Sequence, residues 1–179
     1  PIAAAAAAAG VRCHVDACIG GWVLPFLADE PGAVDRPAWT FAVPGVTSIS
    51  ADLHKYGYAP KGASVLLHRS MSLRHSQFWA TADWPGYGVV NSTLQSTKSG
   101  GPLAAAWATV EALGHEGYAA LARAARDATL AIASGVVGVA GVAGVDGIPG
   151  LRVLVAPDST LLALATDDSC DPYTLCDEL

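Results

Sequence analysis

Charge is scarce in this sequence. Only 15% of its 179 residues are Asp, Glu, Lys or Arg, against roughly 25% in average chains. The 16 acids outnumber the 10 bases, for a net −6 at neutral pH. That balance leaves no material for the basic patch a nucleic-acid binder needs. A hydrophobic share of 52% excludes a disordered tail or a solvating linker. Long apolar runs are also missing. Residues 132–145 come nearest to a membrane span, but they are short, glycine-rich and stopped by Asp146. Nothing basic precedes the alanine run at 3–9 and no cleavage region follows it, so no signal peptide is read there. Four cysteines are too few for a disulfide scaffold. Cys13 and Cys18 flank His14 and Asp16, yet neither this pair nor Cys170/Cys176 has the Cys-x-x-Cys spacing of a zinc site, so buried structural thiols and no metal are expected.

The Ala-, Gly- and Val-rich composition, like that of a high-GC bacterial protein, makes the cytoplasm the expected location. No membrane segment is read, and the low charge implies that other protein covers much of the surface. The length suits about one domain. The chain begins at Pro1 without Met and stops at Leu179 within what reads as a helix start. It therefore reads as a piece of a larger protein.

What is present alternates between two patterns. The alanine run 3–9 favours helix and Gly10 stops it. Residues 11–18 read as a buried parallel strand broken by Gly20 and Gly21, and residues 46–50 as a β-branched strand. A turn-rich connector with Gly57, Pro60 and Gly62 leads to a third strand at 63–69. Past Pro102, placed here at the first helical position, residues 103–113 and 118–133 read as two helices separated at Gly114. Residues 135–150 repeat Gly and Val without a period, as either a connector or a loose strand. Two strands at 151–156 and 161–166 and a helix from Pro172 complete the chain. The alternation predicts an α/β protein, divided into 1–134, a connector at 135–150, and 151–179.

One stretch carries chemistry. In Ser48-Ile49-Ser50-Ala51-Asp52-Leu53-His54-Lys55-Tyr56-Gly57-Tyr58-Ala59-Pro60-Lys61-Gly62, a lysine follows a strand and a histidine just before a glycine-bearing turn. An amine so placed lies at a strand end, where open α/β sheets bind ligands. Partial burial is expected to lower its pKa and free it as a nucleophile for Schiff-base chemistry. Asp16 lies near the end of the preceding strand, where a carboxylate suits a protonated pyridine nitrogen. Read by composition alone, Lys55 is equally a solvated turn lysine.

These residues, with His14-Val15-Asp16-Ala17-Cys18, Asp83-Trp84, the Ser96-Thr97-Lys98-Ser99-Gly100-Gly101 loop and the helix bearing Trp107, closely resemble the sphingosine-1-phosphate lyase family. More broadly they resemble the group II pyridoxal-phosphate decarboxylases of the aspartate-aminotransferase (type I) fold. The resemblance covers most of residues 10–179. It implies part of the large, cofactor-binding domain, with the start of the C-terminal small domain beyond the connector.

The resemblance also implies roles. Lys55 matches the lysine that forms the internal aldimine with pyridoxal 5'-phosphate, and Asp16 the aspartate bonded to the pyridine nitrogen. His54 matches a residue at the cofactor, towards its phosphate. Lys61 matches a second active-site lysine that holds a substrate phosphate or assists proton transfer, its bland alternative being a surface turn lysine. Thr97 lies in a loop that reaches the neighbouring subunit's cofactor phosphate across a dimer interface. The family's usual Arg in that loop is Lys98 here, which removes a bidentate contact. His14 either sets Asp16 or is a hydrogen-bonded core residue. The implied activity is a carbon–carbon lyase acting through an external aldimine on a small-molecule amine, in a homodimer. The alternatives are an amino-acid decarboxylase, and an inactive fragment or degenerate homologue. The family's phosphate cup and ring-stacking residue have no counterpart in residues 1–15.

Overall fold

The computed structural model describes residues 1–28, 35–95, 97–138, 147–167, 169 and 171–178. Two compact units divide the chain: Pro1–Trp22 with Pro37–Gly114, and Val23–Arg36 with His115–Leu179.

In the first unit the alanine run forms α1 (Ile2–Ala8), and Gly10, at φ +68°, turns the chain out of it. A mixed three-stranded sheet follows. β1 (Cys13–Asp16) lies parallel to β2 (Val46–Ala51), which pairs antiparallel with β3 (Val65–His68). All three strands fall where the β-branched and apolar runs placed them.

The two faces of this sheet differ. Val46, Ile49 and Ala51 are buried, and Val46 and Ile49 form a cluster with Ala3 and Ala17, against which Cys13, Val15, Trp39, Phe41 and Val43 pack. Arg69 ties the 41–46 stretch down by donating to the carbonyls of Val46 (2.5 Å), Phe41 (2.8 Å) and Val43 (2.7 Å). The other face of β1 carries His14 and Asp16, which are exposed. The expectation of a strand buried on both faces is therefore corrected: β1 alternates, because its polar residues recur at every second position.

α2 (Met71–His75), capped by Ser70, and a hairpin of β4 (Trp79–Thr81) with β5 (Val89–Asn91) come next. The long helix α3 (Gly100–Val137) has a non-helical break at Gly114 (φ 55°, ψ −173°), a region essentially reserved for glycine. Its residues 100–113 belong to the first unit and 115–137 to the second. Pro102 is the third helical residue rather than the first. It remains within the first turn, where amide groups lack intrahelical partners.

In the second unit, Val23 and Leu27 are almost wholly buried and Phe26 stacks on Tyr118 with ring centres 5.3 Å apart. Arg36 Nε donates to the carbonyl of Asp158 (2.7 Å). β6 (Leu151–Val153) and β7 (Leu164–Thr166) form an antiparallel pair. α4 (Pro172–Glu178) starts behind Asp171, whose carboxylate accepts from the amides of Tyr173 and Thr174. Of the Gly/Val stretch, residues through Val137 continue the helix, while 139–146 lie outside the described residues. No helix among the described residues is long and apolar enough to cross a membrane.

The thiols do not behave as expected. Cys13, on the core side of β1, and Cys18, just past the strand, are only partly buried, and Cys176 is exposed on α4, which buries no residue. Cys170 lies outside the described residues. Among the described residues no group of His, Cys, Asp and Glu is arranged to hold a metal ion.

Candidate active site

Because β1 and β2 run parallel, Asp16 and the turn that follows Ala51 emerge at the same edge of the sheet. On the exposed face the register sets His14 beside Ser48 and Asp16 beside Ser50. A continuous polar chain results. His14 Nδ1 lies 2.9 Å from Ser48 Oγ, and His14 Nε2 lies 3.2 Å from Ser50 Oγ. Ser50 Oγ donates to Asp16 Oδ1 at 3.1 Å, and the Cys18 amide donates to the same oxygen at 3.1 Å. Ser50 has one hydroxyl proton and directs it to Asp16. His14 must therefore donate from Nε2, and a neutral ring accepts from Ser48 at Nδ1.

Asp16 is consequently held below the usual carboxylate range. The contact with Cys18 is the main cause, followed by the bond from Ser50, with the charge of Lys55 adding to it. The dependence of Asp16 on Lys55 puts the two in one electrostatic neighbourhood. His14 is exposed, with both ring nitrogens in hydrogen bonds to this polar chain, and does not lie in the core.

The turn between β2 and β3 is held by its own backbone. The His54 amide donates to the Ala63 carbonyl (3.2 Å), the Ala59 amide to Leu53 (2.9 Å) and the Tyr58 amide to Lys55 (3.0 Å). Tyr58 takes a left-handed conformation at φ 56°. A Cβ at Gly57 would sit 2.6 Å from the Cα and carbonyl oxygen of Leu53, so only glycine fits. Ala59 and Ala63 pack with Ala106, seating the turn on the first half of α3.

On this turn the Lys55 amine lies 3.0 Å from Asp52 Oδ2. Asp52 is largely buried, its Oδ1 accepts a hydrogen bond from Ser64, and that bond is the chief reason its carboxyl is held low. His54 Nδ1 donates to the Ala63 carbonyl (2.8 Å), leaving Nε2 3.7 Å from Asp52 Oδ2. The expectation that burial lowers the pKa of Lys55 is overturned. The side chain is 37% exposed, and its hydrogen bonds to Cys18 and Asp52 raise the pKa.

The other expected residues stand apart from this cluster. Lys61 is exposed at the far end of the turn, without a hydrogen bond or ion pair among the described residues. Thr97 lines a groove of about 550 Å³ with Trp79, Trp84, Tyr87 and Asn91, beside the β4–β5 hairpin. Ser96 lies outside the described residues. Asp52, Ser50 and Ser64 were not anticipated as site residues. The one available signal was the three-residue spacing of Asp52 and Lys55. Chemically, the cluster offers a primary amine, an ionised carboxylate with an open side, and a second carboxylate that neutralises the amine.

No protein-family model matches the chain. Sphingosine-1-phosphate lyase of Arabidopsis thaliana is 48% identical over 109 residues, 61% of this chain and 20% of the relative. The solved sphingosine-1-phosphate lyase of Burkholderia pseudomallei superposes with a TM-score of 0.82 at 40% identity, over 98% of this chain and 37% of that one. Glutamate decarboxylase of Lactobacillus brevis superposes with a TM-score of 0.58 at 22% identity, over 75% of this chain and 30% of that one. The chain thus spans about a fifth of the length of the curated relatives it matches. Sequence and structure together show the resemblance to sphingosine-1-phosphate lyases, and the fold is part of the aspartate-aminotransferase-like α/β fold they share with group II decarboxylases.

Proposed function

We propose that this chain is part of a pyridoxal-phosphate-dependent carbon–carbon lyase that cleaves a phosphorylated long-chain amino alcohol, working as a homodimer. The observation that carries the reading is that the parallel pairing of β1 and β2 brings a carboxylate held in its ionised form, Asp16, and the turn bearing the amine of Lys55 to the same end of the sheet. This donor set fits the cofactor. A primary amine takes its aldehyde carbon, and an ionised carboxylate with two of its contacts already fixed takes a protonated ring nitrogen.

Once bound, the cofactor supplies an electron sink for the bond broken at the substrate α-carbon. The residues of the chain do the rest. Asp16 holds the proton on the ring nitrogen, and His14 with Ser50 fixes the angle of its carboxylate. Lys55 would hold the cofactor through its amine. His54, next to Lys55 in the turn, would contact the cofactor towards its phosphate, and Lys61 would receive the substrate phosphate. Thr97, in its separate groove, serves the phosphate of the neighbouring subunit's cofactor. Residues 1–134 then belong to the large domain, and 151–179 begin the small one. The decarboxylase reading rests on likeness of fold alone.

The test uses the full-length protein with pyridoxal phosphate, borohydride reduction and peptide mapping. An adduct on Lys55 that is lost in Lys55→Ala establishes the cofactor. Release of a long-chain aldehyde from a phosphorylated sphingoid base then establishes the lyase, whereas release of carbon dioxide from an amino acid selects the decarboxylase. A folded protein with no lysine adduct overturns the proposal.

A further inference from the structure

Resting on that reading of Lys55, we propose that Asp52 is a positioning residue: it holds the Lys55 amine whenever that amine is not bonded to the cofactor, and so sets the pH at which Lys55 becomes available. The geometry is built in before any ligand arrives. The Asp52 carboxylate is 14% exposed and lies 3.0 Å from the Lys55 amine. Its second oxygen accepts from Ser64, and its backbone amide donates to the Cys18 carbonyl at 3.3 Å. The Lys55 amide in turn donates to the Asp52 carbonyl at 3.3 Å, closing a tight turn that keeps the two side chains in reach. Two backbone hydrogen bonds thus hold the Asp52 main chain, and Ser64 holds one carboxylate oxygen, which leaves the other oxygen for the Lys55 amine.

The groups that face Lys55 are Asp52 and His54 from its own turn, and Cys18 and Asp16 from the end of β1. The contact with Cys18 is the larger cause of the upward direction of the Lys55 pKa and Asp52 the next, and both favour the ammonium.

The proton count gives the carboxylate its purpose. Lys55 must lose one proton before its nitrogen condenses with the cofactor aldehyde, and that condensation expels one water. If a substrate ammonium displaced Lys55 there, the carbon–nitrogen double bond would pass to the substrate nitrogen, and the three protons of the substrate ammonium would pass to the lysine nitrogen, which would leave as an ammonium. The ammonium so formed would sit against Asp52, withdrawn from the reacting carbon.

The experiment measures the rate at which pyridoxal phosphate modifies Lys55 in the full-length protein freed of cofactor. The modification is trapped with borohydride and read by peptide mass over a series of pH values. Asp52→Asn keeps the shape and the acceptor for Ser64. It is expected to label several-fold faster at neutral pH, with the midpoint of the rate profile moved down, about tenfold in rate for each unit of movement. Asp52→Glu restores much of the wild-type profile. Ser64→Ala, which frees the carboxylate without removing it, moves the midpoint part of the way and decides the matter if Asp52→Asn does not fold. An unmoved midpoint in a variant that still labels Lys55 overturns the role of Asp52 alone. Absence of any Lys55 adduct in the wild type overturns the cofactor reading beneath it.

Discussion

Ser50 donates its hydroxyl proton to Asp16 across the parallel ladder at 3.1 Å, and so spends on the carboxylate the one proton it has. The bond favours the ionised acid, and with the Cys18 contact, which is the larger influence, it holds the Asp16 pKa down. A lowered carboxyl pKa contributes stability above its unfolded value that is lost as pH falls through the folded value. Ser50→Ala should return Asp16 part of the way up. Because a protonated Asp16 cannot pair with a protonated ring nitrogen, cofactor binding by the variant should then fail at a higher pH on acidification. A spectroscopic titration of bound pyridoxal phosphate checks this. Coincident acid limbs in wild type and variant would remove Ser50 from the account.

Gly57 has no room for a side chain, since a Cβ there would lie 2.6 Å from Leu53 backbone atoms rather than from a flexible tip. Gly57→Ala must therefore displace the turn that bears Lys55 and Lys61. Overpacking of this kind costs about 1–3 kcal/mol, so urea unfolding of the full-length protein should show a loss in that range. The Lys55 labelling rate should change with it, because the Tyr58 amide that braces the Lys55 carbonyl is the next residue along.

The central sheet was legible because Val11, Val15, Val46, Ile49 and Val65 concentrate β-branched side chains in short runs bounded by glycine and proline. The break in α3 was legible from Gly114. The β4–β5 hairpin and α2 were not. Their elements are three to five residues long, and Trp79 and Val90 face solvent, so no period distinguishes them from a loop. The lysine and aspartate of the site were legible through a motif. Their partners were not, because Ser50 and Ser64 acquire meaning only from strand register and turn closure. The expected fall in the Lys55 pKa failed for the same reason: it assumed burial, and the fold instead brings Cys18 and the Asp52 carboxylate to the amine.

Lys55 and Lys61 share one turn but differ in surroundings, since Lys55 is paired and Lys61 is exposed without an ion pair among the described residues. Their substitutions should separate. Lys55→Met should abolish both the covalent adduct and turnover. Lys61→Met should leave the adduct on Lys55 intact and raise KM for a phosphorylated substrate. A charge-assisted hydrogen bond is worth about 1.5–3 kcal/mol, which corresponds to roughly a tenfold to hundredfold rise. A KM equal to the wild type would make Lys61 the bland turn lysine that composition alone allows.

Leu94, Leu103, Tyr87 and Trp107 all expose more than half of their surface, in a chain whose charged residues are few. Scattered apolar residues on a surface are ordinary. Here, however, an indole at 66% exposure on α3 and a leucine at 73% four residues earlier lie on one helical face, where they neighbour each other. A homodimer contact would cover them. Trp107→Glu is therefore expected to shift the full-length protein from dimer towards monomer in sedimentation velocity. Ala112 is also exposed on α3, but the helical turn carries it round to a different side from Leu103 and Trp107. Ala112→Glu thus adds the same charge to the same helix away from the apolar pair, and is expected to leave the dimer intact. A Trp107→Glu protein that remains dimeric at the lowest measurable concentration would place the subunit contact elsewhere on the molecule.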